Sequence, residues 1–384
     1  MIQKYQLIQL ITKFLNAKEN SSQKEEVINW YNQHSTYDQK LLEEKAAVLQ
    51  KNTKTRLVKS INSPKTNIVK FLNIRNAVAA SILLIGISSL IFFLSNTAKD
   101  KLATANQLAS VQPAQERAII TLENGKKIEL DKLKINETIQ IDNITISKDE
   151  HGKVSYRQSD SKKEIIQLNT LSVPKASIYS LMLTDGTIVT LNAGSKLIYP
   201  SSFGDGDRSV FLEGEGYFEV TKSKNNTRFI VKTSKQQVTV LGTKFNIKAY
   251  PEETKTQTTL AEGKVSISNL ATAETAKILM PNQQATNNNF SPMSIETIDI
   301  ENAIGWTKGQ FCFDGKNTTA VFEEIARWYD VDMDYSNYQR NTTQYKGKIP
   351  RNLSLDKLMK LLNFAEIHTK ASLTNNQRIK LQLN

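Results

Sequence analysis

The sequence predicts a multidomain chain: a small all-α cytoplasmic bundle, a single transmembrane helix, an all-β periplasmic domain and a C-terminal α+β domain in which a β-α-β unit is written twice. Three observations predict it. Residues 77–94, AVAASILLIGISSLIFFL, carry no charge, and at about 1.5 Å rise per residue they can cross a hydrocarbon core of roughly 30 Å. Apolar residues recur every three or four positions before that run and every second position after residue 116. From residue 306 the two periods alternate.

The flanks of the apolar run orient it. Lys51, Lys54, Arg56, Lys59, Lys65, Lys70 and Arg75 precede it, with no Asp or Glu after Glu44. Only Lys99 and Lys101 follow closely, with Asp100 between them. The positive-inside rule puts residues 1–76 in the cytoplasm and residues 95–384 outside, on a chain that crosses the membrane once. A cleaved signal peptide would lie nearer the N-terminus. Residues 1–76 hold 13 Lys and Arg against 6 Asp and Glu, within a whole-chain net charge of +12. So basic an inner end suits anionic lipid head groups or an acidic partner before nucleic acid. The one cysteine, Cys312, excludes an intrachain disulfide framework and a Cys-based zinc cluster, and between Phe311 and Phe313 it reads as a small core hydrophobe. The 3 His are scattered over three regions, which disfavours a periplasmic hydrolase. No metal or cofactor is expected.

Taken in order, residues 1–62 are the helical domain. Ile2, Tyr5, Ile8, Ile11 and Leu15 mark a first helix. Ser22 and Glu25 have capping-box spacing and open a second, with Val27, Ile28, Trp30 and Tyr31. Thr36 opens a third, which turns Leu41, Leu42, Ala46, Val48 and Leu49 inward. A bundle this small leaves apolar surface for a partner. Trp30 and Tyr31, with Leu41 and Leu42, are the candidates for that surface, and core packing is the other reading of the aromatic pair. Residues 63–76 are a basic juxtamembrane linker, and polar, Ala-rich residues 95–115 read as a periplasmic tether or short helical stalk.

Residues 116–290 are the β domain. Asn124-Gly125 and Asp185-Gly186 each sit between alternating runs and predict hairpins. Residues 139–147 and 152–157 make a strand pair across Asp149-Glu150-His151-Gly152. Residues 210–212 and 216–220 flank Glu213-Gly214-Glu215-Gly216, read as a turn with its carboxylates toward solvent rather than as a catalytic dyad. Strands over 229–233, 237–241, 245–250, 256–261 and 264–268 complete a sandwich, barrel or solenoid. Residues 287–294, with Pro292, read as a polar loop. Residues 306–384 then give strand 309–314, helix 317–329, strand 331–335, strand 345–349, helix 353–362 and strands 366–370 and 379–383.

These residues carry a resemblance. LTDGTIVTLNAGSKLIYP at 183–200, LEGEGYFEV at 212–220, VLGTKFNI at 240–247, LAEGKV at 260–265 and PNQQA at 281–285 resemble the FecR-type periplasmic domain in order and spacing. Ala176-Ser177 replaces the usual Gly-Gly pair, and Thr190 an aromatic. Residues 1–60 resemble the family's helical anti-sigma domain. Residues 306–384 resemble the C-terminal domain of FecR-type regulators of Bacteroidetes-like bacteria, itself similar to the short secretin/TonB N-terminal fold.

The resemblance implies a transmembrane anti-sigma regulator. Its partners would be an extracytoplasmic-function (ECF) sigma factor inside, the periplasmic signalling domain of a TonB-dependent outer-membrane transducer outside, and membrane proteases that release the inner part, with no direct contact to nucleic acid. The other function weighed is a membrane-anchored periplasmic glycan or cell-wall binding or scaffold protein. Trp328 and Tyr329 read either as the transducer contact or as core. No enzyme is expected beyond one reaction that the resemblance implies, self-cleavage of the Gly242-Thr243 peptide by attack of the Thr hydroxyl on the preceding carbonyl. The alternative there is a glycine at a strand bend before an ordinary strand residue.

Overall fold

The computed structural model describes residues 101–383, apart from 142–143, 151–153, 159–165, 273–274, 289–290, 337 and 339–343. The bundle over residues 1–62, the span over 77–94 and the candidates Trp30, Tyr31, Leu41 and Leu42 lie outside the described residues. No helix among the described residues is long and apolar enough to cross a membrane.

From Ile119–Thr121 to Ser291–Thr297 the chain runs mostly in strands, and burial alternates along them as the period of two requires. One sheet joins, in order, Lys127–Glu129, Ile119–Thr121, Leu168–Val173, Ser195–Pro200, the first half of Arg208–Glu219, Phe229–Lys232, Gln236–Val240, Val265–Asn269 and Lys277–Leu279. The other joins Thr138–Ile141, Ile144–Lys148, Val154–Gln158, Ser177–Met182, Ile188–Leu191, the second half of Arg208–Glu219, Lys244–Ala249, Lys255–Glu262, Gln283–Asn288 and Ser291–Thr297. The strand Arg208–Glu219 belongs to both, and the whole closes as a barrel. Ile120, Leu171, Val231, Leu181, Val189, Phe218, Phe245 and Leu260, drawn from both sheets, are fully buried in one core. Each such side chain contributes about 2 kcal/mol by leaving water.

Three strand assignments change. Residues 139–147 are two strands, with Ile141 paired to Ile144 in antiparallel register. Residues 213–216 are not a turn but the middle of the 12-residue strand Arg208–Glu219. Gly214 there, at φ +97°, permits a close approach by Ser195, and its two neighbouring carboxylates go to different places. Residues 287–288 and 291–294 are not loop but strand, within the paired Gln283–Asn288 and Ser291–Thr297.

The C-terminal module sets the helices Thr318–Tyr329 and Leu355–Phe364 in one apolar cluster with a sheet ordered Lys101–Leu102, Thr369–Leu373, Ile379–Leu383, Asp332–Asp334. The Asn317 side chain caps the first helix by accepting from Ala320 N at 2.9 Å, and Asp330 ends it in the left-handed region at φ 51°. Trp328 and Tyr329 belong to this cluster, 6% and 3% exposed. Trp328 Nε1 donates to the Arg351 carbonyl at 3.0 Å, and Tyr329 Oη to that of Leu353 at 2.7 Å. Neither is a surface residue, so the core reading of this pair stands and the contact reading is withdrawn. The helix period puts both on the buried stripe with Val321, Phe322 and Ile325.

The expected tether also differs. Residues 101–116 lie on the folded body, as the two-residue strand Lys101–Leu102, the helix Ala105–Ser110 and the pair Gln115–Glu116 beside Ser177 and Ile178. Ala103, Leu108, Val111 and Ala114 form a thin apolar stripe against the C-terminal core, spaced too widely among polar residues to mark an element by period.

Candidate functional site

Two places bring functional groups together. The larger is the junction between the β domain and the C-terminal module. On the β side the side chain of Glu215 turns inward from Arg208–Glu219 and is 8% exposed. One of its oxygens accepts from Asn192 Nδ2 at 2.8 Å and the other from Asn246 Nδ2 at 3.0 Å, while its own N–H donates to Ser195 Oγ at 2.8 Å. Each asparagine then receives a donor from beyond the barrel. Arg351 Nη1 donates to Asn192 Oδ1 at 3.1 Å, and Trp306 Nε1 to Asn246 Oδ1 at 3.1 Å. The module's two docking groups therefore land on the two amides that hold one buried carboxylate.

Arg351 is 1% exposed and lies 4.6 Å over the rings of both Phe311 and Trp328. Its ionic partner is Glu324, which also takes Lys316 Nζ at 2.7 Å. Burial alone would raise the Glu324 carboxyl, but Lys316 and Arg351 outweigh it and hold the group at about 2. A second arginine of the helix Thr318–Tyr329, Arg327, reaches the β domain. It sits 3.9 Å over the Tyr250 ring and donates to Glu253 at 2.9 Å and Glu252 at 3.3 Å. Tyr250 Oη donates in turn to the Ala193 carbonyl at 2.9 Å. A polar cleft of about 440 Å³ opens beside this network, with Glu215, Asn246, Trp306, Lys316 and Glu324 among its walls. No nucleophile is paired with a base here, and no group of three or more His, Cys, Asp or Glu among the described residues can hold a metal. Such an arrangement locks two domains at a fixed angle, because separation would leave charges buried without partners.

The smaller place is Gly242-Thr243, just before Lys244–Ala249. Thr243 is 5% exposed, its Oγ1 donates to the Lys264 carbonyl at 3.1 Å, and its carbonyl accepts from Val220 N at 3.0 Å. Gly242 packs so tightly on Lys222 that an added side chain would begin 3.0 Å from Lys222 Cβ. Gly263, at φ +95°, covers the other side, where a side chain would meet Thr243 Oγ1 at 3.0 Å and the Gly242 carbonyl oxygen at 3.1 Å. Lys222, Lys244 and Glu262 rim the shallow cleft above it.

Sequence reasoning singled out Gly242, Thr243, Trp328 and Tyr329 but missed Glu215, Asn192, Asn246, Trp306, Arg327 and Arg351 as a set. The signal present was Asn192 and Ser195 inside one motif, which marks a turn requiring specific side chains.

Residues 169–266 match the family described as FecR protein, and residues 310–380 match the family described as FecR, C-terminal. The chain thus carries a FecR domain and a FecR C-terminal domain. Two crystal structures, each of a candidate anti-sigma factor from Parabacteroides distasonis ATCC 8503 and determined at 2.50 and 1.65 Å, are similar to it. Each aligns with a TM-score of 0.50 and 28% identity over 56% of this chain and 99% of the other. No curated protein matches the chain. Barrel strands from Leu168–Val173 to Lys255–Glu262 carry the FecR match and the helices 318–329 and 355–364 the FecR C-terminal match, so the junction described above lies where the two matched domains meet.

Proposed function

We propose that this FecR-family chain is a single-pass inner-membrane anti-sigma regulator. Residues 1–62 hold an ECF sigma factor in the cytoplasm, residues 77–94 cross the membrane, and the outer domains meet the periplasmic signalling domain of a TonB-dependent outer-membrane transducer. Regulated proteolysis then releases the inner segment with its sigma factor. The observation that supports this most is the pair of FecR domains together with likeness to a candidate anti-sigma factor at 28% identity. The buried junction supports it physically, since a contact made on one outer domain is passed to the other without slack. A sigma-dependent transcriptional reporter in the host tests the reading. Deleting the chain, or changing Trp30→Ala with Leu42→Ala, should alter reporter output at least about tenfold, the scale of about 1.4 kcal/mol of lost sigma-factor affinity. Unchanged output in both would remove the reading and favour the periplasmic scaffold.

Self-cleavage at Gly242-Thr243 is carried as a second proposal because Gly242 of that peptide and Gly263, which covers it, are packed without room for a side chain. Thr243 Oγ would bond to the Gly242 carbonyl carbon, the C–N bond would break to free the Thr243 amine, and water would hydrolyse the ester to a Gly242 carboxylate. Mass spectrometry of the purified chain would then find two fragments, one ending at Gly242 and one beginning at Thr243, both lost in Thr243→Ala. An intact single mass in the wild type would sink it.

A further inference from the structure

Residues 101–117 are held unlike the rest of the described chain. Their ladder to the C-terminal sheet is two residue pairs, Lys101 with Leu373 and Leu102 with Ser372, extended by one bond from Ala103 N to the Ala371 carbonyl at 2.9 Å. No residue of the helix Ala105–Ser110 is buried, and Leu102 is 73% exposed. Leu108 and Val111 touch the C-terminal core from outside, and the Val111 carbonyl accepts from Leu355 N at 3.1 Å. The far end is tied at Ala176, whose carbonyl accepts from Gln115 N at 3.2 Å and Arg117 Nη2 at 3.1 Å. Ala176 N donates to the Arg327 carbonyl at 2.9 Å. One short segment thus ties the edge of the C-terminal sheet to the turn at which that module meets the barrel.

Such a segment opens far more cheaply than the domains beneath it. A two-residue edge ladder and a few half-buried apolar groups oppose opening, whereas the junction holds buried charges and the cores hold fully buried side chains. Opening leaves the five-residue strand Thr369–Leu373 still paired to Ile379–Leu383, so the module keeps its own sheet. Freed and extended, residues 101–117 reach about 55 Å, ample for the extended backbone a protease binds.

We propose that residues 101–117 form a detachable strap, which peels from the Thr369–Leu373 edge while both domains stay folded and supplies the cleavable chain beside the membrane. The strap's opening is a property of the described chain, and its use in signalling rests on the relay reading above. The test is native-state digestion of the full chain in detergent micelles by thermolysin, comparing wild type with Leu102→Cys/Ser372→Cys. These two positions face each other across an antiparallel pair, within disulfide range.

In wild type, bonds between residues 102 and 112 are cut while the remaining outer body stays whole. Oxidising the double variant slows those cuts at least about tenfold, and reduction restores them, because cleavage follows the population of the open form. Leu108→Ser with Val111→Ser speeds them about tenfold without moving the melting of the body. Equal rates for oxidised and reduced forms would overturn the proposal. So would strap cuts that appear only as the body unfolds. A chain that behaves as proposed yet captures no sigma factor sinks the relay reading and leaves the strap in place.

Discussion

Gly214 has no side chain, and the backbone of Ser195 takes the space one would fill. A Cβ there would lie 2.7 Å from Ser195 Cα in a backbone at φ +97°, so Gly214→Ala meets both strain and a clash. It should cost more than about 3 kcal/mol, read as loss of a folded melting transition or a fall in its midpoint. Gly125→Ala is the control, at φ +84° but with open space around it, and should cost only about 1 kcal/mol. At Ala176 the chain has a side chain where the backbone prefers none, since its φ is 51°. Ala176→Gly should raise stability by about 1 kcal/mol in the same assay. The resemblance pointed at that position, because Ala176-Ser177 departs from the usual Gly-Gly pair. The family pattern marked the strained residue, although the sequence alone did not say which backbone angle it served.

At the scale of elements, the helix Thr318–Tyr329 combines a legible part with an illegible one. Its period and its inward Val321, Phe322 and Ile325 follow from spacing, whereas Asn317, which spacing puts inside the helix, caps it. Its charges were not. Glu324 and Arg327 occupy helix positions that ordinarily face water, and their partners come from Arg351, Tyr250 and Glu253, far along the chain. Arg351 reaches Asn192 across 159 positions and follows Pro350 in a stretch with no period, so no local pattern could mark it. The same limit explains Glu215, which an acidic-glycine run disguised as a turn.

The Glu324 charge has a pH signature. Its folded value of about 2 lies below the usual 4.5, so it favours the folded state above about 4.5 and gives up that contribution as pH falls through about 2. Glu324→Gln, which leaves Arg351 and Lys316 without their carboxylate, should lower stability at pH 7 by a few kcal/mol. The gap from wild type should narrow as pH is lowered from 4.5 toward 2, followed by melting temperature across that range.

At the scale of the molecule, the barrel and the C-terminal module act as one outer body because buried arginines cross between them. Arg351→Ala strands Glu324 beside Lys316 alone and removes the donor on Asn192. That should cost about 3–5 kcal/mol and split one calorimetric transition of the outer body into two. A single unshifted transition would show that the junction is no lock. The proposed hold of residues 1–62 on a sigma factor is tested most directly by capture of the host's ECF sigma factors by the full chain in detergent, with bound protein weighed against the chain. One sigma factor bound at a one-to-one ratio, and lost with Trp30→Ala/Leu42→Ala while the helical circular dichroism is kept, is the expected result. Recovery of the full chain with no sigma factor bound would contradict it.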